Sequence, residues 1–289
     1  MIIFKDMNML PVYELPFKAA FLIFIMFSVV GWVSEVLYVG IFHEHRFVNR
    51  GFLYGPLCPV YGFGGIVILL LPPFLYQTWI PLFFASMILC TAVEYFVSWF
   101  MEKLFHARWW DYSHYKFNIN GRICLLNSVL FGFLGLGVIR FVYPQMLRFL
   151  DWLGDFVVMV SADSIGAVLT IDIFLTIRKL VDFNSTMEKI KVFSESLRDH
   201  YGNEAWFRSE NLEEMLASVK EHAAISKDHI NQSVLEKIDR LQNARHAAAE
   251  SFMAHFPTMK SIQYKDELEH LKSCLKARVK ARVKSRLKK

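Results

Sequence analysis

FKAAFLIFIMFSVVGWVSEVLYVGIF, residues 17–42, carries one base at its start, Lys18, and one acid, Glu35, in a run that is otherwise apolar and aromatic. A helix rises about 1.5 Å per residue, so roughly 20 such residues cross a hydrocarbon core about 30 Å thick. The run shows none of the polar striping that a soluble helix keeps toward water. It has no basic n-region and no small-residue cleavage site and it includes Glu35, so it reads as a retained span rather than a signal peptide.

Four further runs of this kind follow, near Leu57 to Tyr76, Ile80 to Met101, Ile123 to Tyr143 and Leu153 to Ile177. The second stops at Pro72 and Pro73, which cannot continue a helix without losing backbone hydrogen bonds. The fifth contains Asp155, Asp163 and Asp172; the last two lie about 180° apart on a helix, and Asp172 is expected to pair with Lys179. Hydrophobic residues make up 54% of the chain and the mean hydropathy is +0.31, too apolar for an ordinary soluble domain of this length. Charge is unevenly placed, with 12 Lys/Arg and 11 Asp/Glu up to Lys179 but 20 and 16 in residues 180–289. The expectation is an all-α membrane protein: a transmembrane domain over residues 1–180 with about five helices, then a helical tail over 181–289.

Basic loops are retained on the cytoplasmic side of a membrane. Arg46 and Arg50 in the first loop, Lys103, Arg108, Lys116 and Arg122 in the third, and Arg178 and Lys179 after the fifth helix all fall on one side. The second loop, PPFLYQTWIP (residues 72–81), has no charge, and the fourth sets Arg148 against Asp151 and Asp155. The N-terminus is then outside and the tail cytoplasmic. Cys58, Cys90, Cys124 and Cys274 give no case for a disulfide framework.

Slid against itself by 70 residues, the chain places Gly51 on Gly121, Gly62 on Gly132, Phe63 on Phe133 and Gly65 on Gly135, with Tyr61 facing Phe131. Upstream, Glu35 in GWVSEVLY answers Glu94 in TAVEYFVSW. Two helix hairpins, about 21–76 and 80–144, therefore read as duplicates, against a background of chance Gly and Phe matches in apolar sequence. Two-span units enter the membrane the same way, so the expected symmetry is a pseudo-twofold along the membrane normal.

A carboxylate inside a span costs about 2.5–3.5 kcal/mol on insertion scales, so Glu35 and Glu94 are expected to face the interior with partners. The partners expected are Arg50 and Arg122, each in an Asn-Gly-Arg cluster at the start of the next helix. Glu35, Asn49, Arg50, Gly51, Glu94, Asn120, Gly121 and Arg122 are thus candidates for a solute path, the alternative being ion pairs that only fix helix register. NRGFLYGPLCPVYGFGG (residues 49–65), with Pro56, Pro59 and five glycines, predicts broken or re-entrant first turns; its glycines serve equally for close helix packing. In FHARWWDYSHYKFNINGR (105–122), His106, Arg108, Trp109, Trp110, Asp111 and Tyr112 are candidates for contact with a lipid headgroup, the alternative being an aromatic belt. His43 and His45 lack further ligands at matching spacing, so no metal is expected, nor any catalytic group.

The run NRGFLYGPLCPVYGFG, preceded by GWVSEVLY and followed by EYFVSWFMEKLFHARWWDYSHYKFNINGRICL, resembles the ABC-transporter type IV permease family, membrane proteins found chiefly in Firmicutes. The resemblance covers roughly Phe21 to Pro144 and is most specific at NRGFLYGP and WWDY. It implies residence in a bacterial cell membrane and a role in transport. No GxxxxGK[ST] loop is present, so an ATPase would be a separate subunit, and no cofactor is expected in this chain.

In the tail, Ile230, Val234, Ile238, Leu241, Ala248, Phe252 and Phe256 follow a helical stripe that Pro257 ends, predicting a helical hairpin or short coiled coil. Over residues 271–289, nine Lys/Arg alternate with Leu271, Leu275, Val279, Val283 and Leu287 at every fourth position. A cationic amphipathic helix of this kind suits anionic lipid headgroups better than nucleic acid in a chain already tethered to the membrane. The reading is a permease subunit moving an unidentified solute, with homo-oligomerisation open. The alternatives are a membrane-embedded enzyme or binding protein for lipid headgroups, and a scaffold whose tail recruits partners.

Overall fold

The computed structural model describes residues 10–41, 51–105, 107–208, 212–225, 232–255 and 260–261. The chain divides into two compact units, Met1–Ile177 and Arg178–Lys289.

The first unit is built from α1 (Phe17–Val39), α2 (Pro59–Leu69), α3 (Pro73–Tyr76), α4 (Trp79–Phe105), α5 (Leu125–Gly137) and most of the apolar part of α6 (Tyr143–Tyr201). Three helical stretches are long and apolar enough to cross a membrane: Phe17–Tyr38, Trp79–Phe105 and Leu125–Tyr201. The last is continuous because a π turn, Val138–Val142, joins α5 to α6. It is interrupted at Gly154, whose φ of 75° and ψ of 157° lie outside helical values. Residues 144–152, expected as a loop, are helical instead. Their apolar positions supply the reason: Tyr143, Met146, Leu147 and Leu150 recur at helical spacing and are all buried.

The second expected span is broken. α2 has 11 residues, about 16 Å of helix, which is too short for a straight crossing. Pro59 occupies its first position, where a missing N–H costs nothing, and Pro72 and Pro73 halt the chain beyond it. Pro73 has no amide to give the Leu69 carbonyl, and the buried Tyr76 hydroxyl donates to that carbonyl instead, at 2.6 Å. The segment before α2 is irregular, with bends over residues 51–56. Asp172, expected opposite Lys179, accepts hydrogen bonds from the amides of Tyr54 (2.9 Å) and Gly55 (2.8 Å). A non-helical turn among spanning helices needs such a partner, because lipid offers none. Asp163, another acid of the fifth run, pairs with Lys18 at 2.7 Å.

Packing in this unit is dominated by α1 against α2 and α4 against α5. α1 buries Ile23, Phe27 and Gly31 and half-buries Glu35; α4 buries Leu82, Ser86, Cys90 and Glu94. The opposing helices meet these stripes with glycine. Gly62 abuts Phe24 and Ser28, Gly65 abuts Phe27, Gly132 abuts Phe83 and Gly135 abuts Ser86, all too closely for a Cβ to fit between. Beside the glycines, Phe24 and Phe63 form an edge-to-face pair at 5.1 Å and 66°, and Phe83 and Phe133 form another at 5.0 Å and 70°. Phe24 and Phe83 are 59 positions apart, as are Glu35 and Glu94; Phe63 and Phe133 are 70 apart, as are the glycines.

The second unit comprises the end of α6, α7 (Leu212–Ile225) and α8 (Gln232–His255). Phe193, Leu197, Leu216, Val219 and Ile238 form its core, flanked by Val234 and Leu241 of the expected tail stripe. Trp206 stacks flat on His222, and Lys220 bridges to Asp239 at 2.6 Å. Ile230, Phe256 and the basic segment 271–289 lie outside the described residues.

Two outcomes follow from this packing. Gly65→Ala and Gly135→Ala each lower stability in detergent by roughly 1–3 kcal/mol through overpacking, whereas Gly137→Ala, whose Cβ meets nothing within 4 Å, leaves it unchanged. Thermal unfolding followed by circular dichroism makes the comparison. Asp172→Ala strands two amides and exposes the segment around Phe52–Tyr54 to chymotrypsin, at about 1–3 kcal/mol per unsatisfied group; Asp172→Asn, which retains an acceptor, is cleaved more slowly than Asp172→Ala.

Candidate functional site

Polar groups converge where α1 and α4 end and the segments leading into α2 and α5 begin. Glu35 lies one turn from the end of α1, and the Tyr61 hydroxyl of α2 donates to its Oε1 at 2.7 Å. Tyr61 can reach it because Gly31, one turn before Glu35, leaves room for the Tyr61 ring, which a Cβ at that position would strike. Glu94 of α4 is 8% exposed. Its Oε1 accepts from the Tyr112 hydroxyl at 3.1 Å and the Asn127 side chain of α5 lies beside the carboxylate, yet its Oε2 is buried without a hydrogen bond.

Tyr112, in the loop after α4, has its hydroxyl pKa raised well above the usual tyrosine range, first by burial and then by the Glu94 charge.

The loop that presents Tyr112 is itself specified residue by residue. Asn118–Ile119 pairs antiparallel with Ile123–Cys124, and the turn between them places Asn120 and Gly121 at φ 53° and 68°. Asn tolerates this left-handed region and Gly takes it freely. The Gly121 carbonyl accepts from the Tyr112 amide at 2.8 Å, and a Cβ on Gly121 would come within 2.9 Å of Asp111 Oδ1. The glycine therefore sets the height at which Tyr112 meets Glu94. Asn120 donates to the Tyr95 hydroxyl at 3.1 Å.

Arg122 does not pair with Glu94. Its guanidinium binds Glu102 at 2.9 Å and lies over the Tyr95 ring. Glu102 also takes Arg108, from Nε at 2.9 Å and from the second nitrogen at 3.4 Å. The reason is height: Glu102 stands two turns beyond Glu94 on α4, level with the loop that carries both arginines. The headgroup candidates are likewise engaged. Trp110 donates to the Arg122 carbonyl at 3.0 Å, Asp111 accepts from the Ser113 amide at 3.1 Å, and Trp109 packs edge-on against Phe52.

Gly51 has φ 153°, and a Cβ there would approach the Leu57 carbonyl. Asn49, Arg50 and His106 lie outside the described residues, as do His43 and His45. Among the described residues, no group of three or more His, Cys, Asp or Glu could hold a metal ion.

Tyr61, Asn127, Glu102 and Tyr95 were not singled out from sequence as site residues. Tyr61 carries a signal in the sequence, since it faces the aromatic Phe131 at the repeat offset; Glu102 carries none. Arg140 was also missed. It sits in the π turn with its guanidinium 4.9 Å over the Trp79 ring, and two of its nitrogens are buried without hydrogen bonds.

Comparison with protein families matches residues 22–177, more than half of the chain, to the family described as "Putative ABC-transporter type IV". Comparisons with curated proteins and with solved structures gave no match. The matched region runs from α1 into α6 and contains Glu35, Tyr61, Glu94, Glu102, Tyr112 and Arg122; the chain belongs to this family of ABC-transporter type IV proteins.

Proposed function

We propose that the chain is the membrane-embedded permease subunit of a bacterial transport system, with its ATPase on a separate chain. The observation that carries this reading is the paired geometry of the two hairpins. α1 with α2, and α4 with α5, repeat the same glycine contacts and the same edge-to-face Phe pair, at offsets of 59 and 70 residues. Each hairpin also carries a glutamate hydrogen-bonded to a tyrosine. Duplicated hairpins with polar groups at their meeting line are a recurrent way to build a solute path. In this reading α2 with α3 makes the second crossing as a broken helix, Gly154 separates the fourth crossing from the fifth, and the count is five.

The N-terminus is outside and the tail cytoplasmic, because Lys103, Arg108, Lys116, Arg122, Arg178 and Lys179 gather on one side. The basic segment 271–289 then faces the anionic inner leaflet, each basic residue contributing about 1 kcal/mol near that surface. The headgroup-enzyme alternative has less support, since Arg108 is engaged by Glu102.

Two measurements bear on this. The chain, purified from gently solubilised membranes, is expected to bring down an ATP-hydrolysing subunit in near-stoichiometric amount; its absence after cross-linking in intact cells would count against the permease reading. In intact cells, a membrane-impermeant maleimide is expected to label Gln77→Cys and to spare Lys116→Cys until the membrane is opened; the converse pattern would invert the topology.

A further inference from the structure

We propose that two copies of the chain pair along α1 and the membrane part of α6, the Lys18–Asp163 ion pair of each copy being completed by that of the other. The inference rests on the outer surface of the first unit and not on the permease reading.

Past the break at Gly154, Phe156, Met159, Asp163, Ala167, Thr170 and Phe174 recur at helical spacing and are all exposed. Most of this face suits acyl chains, and Asp163 does not. It stands nine residues past Gly154, about 13 Å along the helix. Its side chain is 66% exposed and is bound by Lys18 Nζ at 2.7 Å, the lysine side chain being 39% exposed. The pair is not a frayed helix end. Three residues further along each helix, a Cβ on Gly166 would meet the Phe21 ring at 3.9 Å, so α1 and α6 lie side by side at this level.

In water such a pair is commonplace and worth little. In a bilayer, charged side chains of spanning helices turn to the bundle interior or to a partner, because hydrocarbon solvates neither ion. Lys18 is one partner and leaves much of the Asp163 side chain uncovered. A second copy covers the rest. A twofold axis along the membrane normal preserves depth, and Lys18 and Asp163 share a depth because they bond each other. The operation sets Lys18 against the partner's Asp163 and Asp163 against the partner's Lys18, closing a ring of alternating charge. A surface of this kind is complementary to itself, as an isologous interface requires. Any other occupant needs its own base and acid at that depth.

The rest of the face permits the approach. Ala167 and Thr170 are small, and the Thr170 hydroxyl donates to the Gly166 carbonyl at 2.8 Å, so it brings no unsatisfied donor to the contact. Small side chains let spanning helices come close.

Cysteine cross-linking of the full chain in native membranes reads the contact, in a Cys274→Ser background. Ala167→Cys is expected to form a disulfide-linked dimer on mild oxidation, and Ile88→Cys, exposed on α4, to remain single. Single-molecule counting in liposomes separates pairing between copies from pairing within one. Lys18→Asp and Asp163→Lys chains, each alone, are expected to dissociate at least tenfold more readily than the unaltered chain. Mixed, they are expected to recover the dimer as a heterodimer, since each supplies the charges that the other lacks. An ion pair that matters only within one copy leaves the mixture as weak as its parts, and that result overturns the proposal. So do an unaltered chain that counts as a monomer, equal cross-linking at positions 167 and 88, and capture of a different protein by Ala167→Cys. Recovery or loss of an ATPase leaves each of these outcomes unchanged.

Discussion

The polar geometry of the membrane unit depends on how closely its helices approach, and glycine sets that distance. Lipid tails are as apolar as leucine, so helices in a bilayer gain little by hiding apolar surface from it; they associate through close van der Waals contact and hydrogen bonds. Gly62 and Gly65 admit the rings of Phe24 and Phe27, and Gly132 and Gly135 admit Phe83 and Ser86. The same approach on the first hairpin lets the Tyr61 ring lie over Gly31 and its hydroxyl reach Glu35. Widening the interface by one methyl group would separate the phenol from the acid as well as loosen the pair.

Close packing then limits how irregular backbone can be tolerated. Three irregular places in this unit are each met by a specific side chain. Asp172 takes the amides of Tyr54 and Gly55, Tyr76 takes the Leu69 carbonyl that Pro73 leaves open, and Asn118 accepts from the Gly121 amide at 3.1 Å. Two of these partners lie far in sequence from the groups they satisfy or just beyond a proline break. That is how α2 can be only 11 residues long and still sit within the bundle.

Much of this was legible in sequence because apolar length and glycine spacing are local signals. The runs beginning at Phe17, Ile80 and Ile123 correspond to α1, α4 and α5 within a few residues, and the halt at Pro72 falls where the helix has already ended. The irregular entry to α2 was readable from Pro56, Pro59 and the glycines around them. What could not be read was which partner each charge would choose. Asp172 was assigned to Lys179, a neighbour on its own helix, but its carboxylate is taken by amides 117 and 118 positions away. Arg122 was assigned to Glu94 on the strength of the repeat. A duplicated motif specifies which residue types recur, and the level of each along its helix is fixed only by packing. Gly154 was equally silent, since a glycine in an apolar run reads as packing unless its φ is known.

The choice made by Arg122 has consequences for the acid it leaves. Eight residues separate Glu94 from Glu102, about 12 Å along α4. Arg122 is held at the outer of these two levels by the short ladder behind it and by Tyr95. Glu102, 20% exposed on its side chain, takes both arginines. Glu94, deeper and more enclosed, is left with a phenol and an amide, groups that can stabilise a carboxylate but cannot neutralise it. Had the arginine reached Glu94, the result would be a closed ion pair, expensive to break and suited to fixing register. With tyrosine there instead, the acid is oriented without being neutralised.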